Sequence, residues 1–376
     1  MLSNSASDPF VMRSEVAATR DLQPVVAVPA KDEEERIPRL IRALSSQTWL
    51  AAEDRSLDIV IVLNNTADRS RNAIEDAALG TRLRVHLVDL KLPAAFAHVG
   101  TARRFALDLA RTLCRTSMSS VLLTTDADAV PSARWIDANL LAISAGADIV
   151  GGRIVGDRRE EALLGQAFLA RAASHLIYAD LCDRVMSLLD PVEHDPWPRH
   201  RDHTGASLAV RADVFDAVGG LPALPYREDL AFVSRVRDAG YRLRHSPSVR
   251  VEVSARTKGR APGGMADTIA AWVADAQTGR PCLVEDPESV VERALRRSML
   301  RQMNQASASL AVQCAARCGL ELDDFCDAAG DFLAPEILVQ RFAPDEPDAR
   351  ATVDIETAIT ELRAIIADQE RTVDAA

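Results

Sequence analysis

Short apolar runs alternate with amphipathic stretches over the first two-thirds of the chain. Val25 to Pro29 is an unbroken apolar run of strand length, and the period Ile37, Leu40, Ile41, Leu44 behind it sets four apolar side chains on one helix face. Pro38 suits the first turn of that helix, so the acids Asp32, Glu33, Glu34 and Glu35 fall in the strand-to-helix loop. Asp58 to Leu63 predicts a second strand, Asn64 to Asp68 a turn-rich loop, and a helix follows from about Ser70. Leu83 to Leu90 predicts a third strand, Gly100 to Cys114 a helix, Val121 to Thr125 a fourth strand and Asp148 to Ile154 a fifth. This alternation predicts an α/β fold with a largely parallel sheet, whose ligands lie beyond the carboxyl ends of the strands.

The pattern then changes. Ala162 to Leu189 reads as one long helix, and a loop rich in proline and histidine follows, with His194, Trp197, His200 and His203. Thr204 to Arg211 leads into a short helix ending at Gly219 and Gly220. Leu230, Val233 and Val236 mark another helix closed by Gly240, and Arg242 to Val253 is a strand. Arg256 to Gly264 is a basic, glycine-rich loop. From Pro287 the chain turns helical and strand-poor, with amphipathic helices around Val290 to Met303 and Ile355 to Arg371. The expected organisation is a loosely attached tail over residues 1–23, one domain over 24–283 with halves 24–128 and 129–283, and a helical extension over 284–376. That extension packs on the core, forms a homodimer or meets a membrane surface.

Composition narrows the function. A net charge of −11 over 376 residues excludes a general nucleic-acid binder, because no basic field attracts a phosphate backbone. A phosphorylated ligand would need a metal ion or a local arginine cluster. The six cysteines show no zinc-type pairing. With no signal peptide and no run of 18 apolar residues, the expected location is cytoplasmic, with a peripheral role at the inner membrane face left open.

The candidate chemistry begins at Asp126 and Asp128, which end the fourth apolar run. In extended backbone, side chains two apart face the same way, so both carboxylates would face one side of the strand end. Such a pair suits Mg²⁺ or Mn²⁺ completed by water and substrate phosphates; two solvated loop aspartates are the plainer alternative. Asp229 stands where a helix N-cap belongs, which is a structural use of the carboxylate. Arg256, Lys258 and Arg260 on a flexible loop suit closure over a diphosphate. Trp197 could stack on a sugar face.

With these pieces in order, the chain resembles family-2 glycosyltransferases of the GT-A fold over residues 24 to 265. Val28 to Ile37 is similar to that family's VPAYNEEENI opening, and Asn64 to Asp68 to its second-strand loop. Gly100, Ala102 and Arg103 match its glycine-alanine-arginine helix start, and Thr125 to Asp128 falls at its metal-binding DxD. Gly205 to Arg211, Gly219 to Leu221, and Glu228 with Asp229 resemble its acceptor half, including the ED motif. The resemblance implies a Rossmann-like mixed, largely parallel sheet with helices on both faces and an appended helical region. It implies a nucleotide-sugar donor site bordered by Pro29, Ala30, Glu33, Asn64, Asp68, Arg103 and Asp126, with Arg256 and Arg260 on the diphosphate. Asp128 would hold the metal, with His245 as a further ligand, and Asp229 would be the catalytic base. The acceptor would contact the Gly205 and 194–203 loops. One departure is Leu63, where the family carries an aspartate.

These readings converge on a metal-dependent glycosyltransferase that inverts the anomeric centre. A retaining enzyme making a small glycoside, a nucleotidyltransferase, and a non-catalytic sugar-nucleotide binder acting through its helical region are the alternatives.

Overall fold

Four parallel strands lie side by side: β1 (Gln23–Ala30), β2 (Leu57–Asn64), β3 (Leu83–Leu90) and β4 (Ser120–Thr124). β1 pairs with β2 from Val25 opposite Asp58 to Ala30 opposite Leu63, and with β4 from Gln23 opposite Ser120 to Ala27 opposite Thr124. Parallel neighbours need long crossovers. Helices α1 (Ile37–Ser45), α2 (Ser70–Ala78) and α3 (Val99–Leu113) supply them. This computed structural model describes residue 19 and residues 21–52, 55–116, 119–259, 264–303, 308–344 and 351–374. Arg260 and most of the expected N-terminal tail lie outside the described residues.

The sheet continues through β5 (Val130–Pro131), β6 (Ile149–Gly156), β7 (Leu208–Arg211) and β8 (Leu243–Val253), giving the order β3-β2-β1-β4-β7-β6-β8-β5. β7 runs antiparallel to both β4 and β6, and β5 antiparallel to β8. The mixed, Rossmann-like sheet implied by the resemblance is present, its parallel share lying in the first four strands. Alternating residues Val26, Val28, Ile59, Ile61, Leu63 and Leu123 pack with Ile37, Leu40, Ile41 and Leu44 of α1, Ile74 of α2 and Trp135 of α4 (Trp135–Ser144). The residues between them, such as Val25, Ala27, Val60 and Val62, are equally buried and point the other way, toward the face where α3 packs on β1 and β2. Both faces are therefore covered, which is why these strands read as unbroken apolar runs.

The chain divides into two compact units. The first comprises residues 1–155, 202–233 and 242–254, and the second residues 156–201, 234–241 and 255–376. The first also holds α7 (Ala212–Ala217) and the start of α8 (Glu228–Asp238). In the second, the helix expected over 162–189 is two, α5 (Arg158–Ala162) and α6 (Gln166–Leu189), separated at Gly165, whose φ of +93° lies outside the helical region. The rest of this unit is α9 (Met265–Thr278), α10 (Pro287–Gln302), α11 (Ala308–Cys318), α12 (Pro335–Phe342) and α13 (Ile355–Asp374). β9 (Leu283–Glu285) and β10 (Thr352–Asp354) form a small antiparallel ladder there that the apolar pattern did not predict. Among the described residues no helix is long and apolar enough to cross a membrane.

Candidate active site

The loops after β1 and β2 are laced together by carboxylates. Asp68 Oδ1 accepts from the Ser70 N–H at 2.9 Å and its hydroxyl at 2.6 Å, while Oδ2 accepts from the Glu34 N–H at 2.9 Å. Asp32 Oδ1 accepts from the Ala67 N–H, Glu34 Oε2 from the Arg69 N–H, and the Glu33 N–H donates to Ser70 Oγ, each at 2.8 Å. Asp32 and Asn65 both adopt φ +51°, the left-handed region that aspartate and asparagine tolerate best among non-glycine residues. Pro29, Ala30 and Glu33 are buried beside this seam.

Asn64, at the end of β2, is buried and donates from Nδ2 to the His98 carbonyl at 3.3 Å. Its Oδ1 and the neighbouring Thr66 Oγ1 are buried with no hydrogen-bond partner among the described residues. Such atoms ordinarily find one. Thr66 was not singled out from the sequence, because an isolated threonine in a turn has nothing to distinguish it.

At the next strand the structure corrects the sequence geometry. β4 stops at Thr124, and Asp126 to Asp128 lie in a turn in which the Ala129 N–H donates to the Asp126 carbonyl at 3.2 Å. The two carboxylates are therefore not paired on extended backbone. Asp126 Oδ1 accepts from Arg103 Nη2 at 2.6 Å, and Asp128 is half-buried on the same turn.

Arg103 gathers this region. Its side chain is 3% exposed, and besides Asp126 it donates to Thr124 Oγ1 at 2.9 Å, the Gly205 carbonyl at 2.8 Å and Glu228 Oε1 at 3.0 Å. Three carboxylates nearby hold its guanidinium well above the ordinary arginine range, despite its burial. Two glycines make room. A Cβ on Gly205 would overlap the guanidinium, and one on Gly100 would overlap the Leu224 carbonyl. The sequence pointed to Arg103 as a donor contact; here its fork is engaged by protein oxygens. Glu228 went unassigned because its partner lies 125 residues away. Burial pushes its carboxyl up, against the pull of Arg103.

Asp229 is half-buried at the start of α8. Its Oδ2 accepts from the Gly205 N–H at 2.6 Å and Oδ1 from the Leu230 N–H at 2.8 Å. Asp126, Glu228, Asp229 and Gly205 thus meet around Arg103 within the first unit.

The other expected residues lie on other elements. His245, in β8, has its Nε2 3.0 Å from Nδ1 of His203, so that nitrogen already has a partner. Among the described residues no three His, Cys, Asp or Glu side chains converge to hold a metal ion. Asp128, a half-buried carboxylate on the turn after β4, is a hard oxygen donor of the kind that Mg²⁺ and Mn²⁺ take together with phosphate oxygens and water. Arg256 belongs to the second unit. In the 194–203 loop, Trp197 is 42% exposed with the Arg184 guanidinium 5.1 Å above its ring.

Residues 25–194 match the family model described as Glycosyl transferase family 2. No curated protein matches the chain by sequence. Among solved structures it is similar to the mannosyltransferase PcManGT from Pyrobaculum calidifontis in complex with GDP-Man and Mn²⁺, at 16% identity and a TM-score of 0.41, covering 82% of this chain and 87% of that one. It is also similar to S. aureus TarS in complex with UDP-GlcNAc, at 14% identity and a TM-score of 0.44, covering 94% and 91%. A third likeness is to glucosyl-3-phosphoglycerate synthase from Mycobacterium tuberculosis in complex with phosphoglyceric acid, at 13% identity and a TM-score of 0.41, covering 75% and 88%. Residues 25–194 are thus similar to glycosyl transferase family 2, the family whose motifs the sequence resembles.

Proposed function

We propose that the protein moves a sugar from a nucleoside-diphosphate sugar to an acceptor hydroxyl, with Mg²⁺ or Mn²⁺ and with inversion at the anomeric carbon. The observation that carries this reading is the meeting of Asp229 with Asp126 around Arg103 and Gly205. A backbone N–H on each Asp229 oxygen holds that carboxylate still, and lone pairs remain for an acceptor hydroxyl. In this role Asp229 takes the acceptor proton as the oxygen attacks, a contribution of roughly 10²–10⁴-fold. A single base acting opposite the leaving group supports one displacement, hence inversion.

Asp128 would hold the metal ion, with His245 as a further ligand. When bound, the ion supplies neutralisation of the leaving diphosphate. Pro29, Ala30, Glu33 and Asn64 would border the nucleoside, Asn64 Oδ1 and Thr66 Oγ1 offering two buried oxygens that want partners. Asp68 would act through the loop it laces, Asp126 would meet the donor's ribose or sugar, and Arg256 and Arg260 would assist on the diphosphate. The acceptor would approach along the Gly205 and 194–203 loops. The transferase domain would span 24–283, with 284–376 as its extension.

A screen of UDP-, GDP- and dTDP-sugars with Mn²⁺ or Mg²⁺ identifies the donor. Asp229→Asn is expected to lower kcat about 100-fold or more while donor binding persists; undiminished turnover makes Asp229 a helix cap and ends the mechanism. Asp128→Ala is expected to abolish metal-dependent donor binding, and unaltered binding removes the metal assignment. The anomeric configuration of the product, read by NMR, decides inversion.

A further inference from the structure

Arg103 joins four stretches of chain that the sequence keeps far apart. Its Nη1 and Nη2 hold Thr124, the last residue of β4, and Asp126 just beyond it, Nη1 also holds the Gly205 carbonyl, and Nε holds Glu228 at the head of α8. The Gly205 peptide is gripped from both ends, its carbonyl by Arg103 and its N–H by Asp229. Because Glu228 and Asp229 are adjacent, these bonds close a ring: guanidinium, Gly205 peptide, Asp229, Glu228 and back to the guanidinium. Asp126 is bonded to the outside of that ring.

We infer that Arg103 is a positioning residue, fixing the Asp126–Asp128 turn and the Asp229 carboxylate at a set spacing without touching the donor itself. The inference rests on the reading of Asp229 as the base. Three features fit the role. A guanidinium presents rigid, planar donors and does not lose its proton, so it holds several oxygens at once under any working condition. Asp126, Glu228 and Asp229 would repel one another in this buried setting without a cation among them. Gly205 has no side chain, and any Cβ there would displace the guanidinium. A lysine keeps the charge but cannot reproduce the four-way fork.

The test compares the full-length protein with Arg103→Lys, Glu228→Gln and Asp229→Asn. It measures kcat and KM with UDP-glucose and GDP-mannose in Mn²⁺, Kd for UDP and GDP, and thermal melts to verify folding. For Arg103→Lys, kcat is expected to fall about 10- to 100-fold, the scale of a small misplacement of reacting groups, with donor KM and nucleotide Kd within about threefold of wild type. Glu228→Gln keeps an acceptor for the Arg103 Nε–H but removes the charge that closes the ring, so kcat is expected to fall about 10-fold with donor KM and nucleotide Kd within about threefold of wild type. Wild-type kcat in Arg103→Lys overturns the inference. So does a donor KM and UDP or GDP Kd raised about tenfold or more, the mark of a donor ligand. If Arg103→Lys does not fold, wild-type kcat in Glu228→Gln overturns it instead. Undiminished turnover in Asp229→Asn overturns the base reading separately, whereas the kcat and KM of Arg103→Lys report on positioning alone.

Discussion

Asp58, the second residue of β2, answers two side chains of β3. Arg84 donates to both of its oxygens, and the His86 ring lies 2.9 Å from Oδ1. The Arg84 hydrogen bonds hold the Asp58 carboxyl below the usual carboxylate range, outweighing its partial burial. A carboxylate with a depressed folded pKa adds stability above its unfolded pKa and loses it as pH falls through the folded one. Asp58→Asn is therefore expected to lower stability at pH 7 by about 0.5–1 kcal/mol, discounted because the Arg84 side chain is 53% exposed. The gap to wild type should close below about pH 4 in urea melts taken across the acid range. The same locality explains which residues were legible. Asp126 and Asp229 stand out in the sequence as acids at a strand end and a helix start, but Asp126 meets Arg103 23 residues away and Asp229 meets Gly205 24 residues away. Those partners decide which oxygens are occupied, and no local pattern announces them.

Elements were more legible than side chains because hydrophobic period and punctuation are local properties. Pro38 lies in the first turn of α1 and Pro287 opens α10, as their preset φ favours. The misses share one cause. β4 ends early because its antiparallel partner β7 begins only at Leu208, opposite Thr124, and the Thr125 hydroxyl donates instead to the Ala206 carbonyl. Both contacts are long-range. β9 and β10 escaped notice because three-residue strands have too few positions to show an alternation. At this scale the prediction concerns Asp286, the N-cap of α10, whose Oδ1 accepts from the Ser289 N–H at 3.0 Å and Oδ2 from its hydroxyl at 2.6 Å. Asp286→Ala leaves that N–H without its acceptor and should cost about 1 kcal/mol, read as a lower urea midpoint. Asp286→Ser should recover most of the loss, since a serine hydroxyl caps comparably.

At the scale of the molecule, the division into two units follows from separate apolar cores. One is the sheet core around Val26, Ile59, Leu123 and Ile41. Another, wholly in the second unit, brings together Tyr178, Val185 and Met186 of α6, Val284 of β9, Val290 and Ala294 of α10, and Ile355, Ala358, Ile359 and Leu362 of α13. The helical character of this region was plain in its sequence. That α6, far upstream, supplies one wall of its core was not, because apolar period shows that a face is buried and says nothing of what buries it. Leu362 is fully buried in this core. Leu362→Ala removes its branched end and leaves a cavity, so it should destabilise the second unit by about 2–5 kcal/mol. Hydrogen exchange localises the effect: amides of α6, α10 and α13 should exchange faster. Those of β1 and β2, whose side chains belong to the sheet core, should keep their protection. Equal loss of protection in both sets would mean that the two cores unfold as one cooperative body.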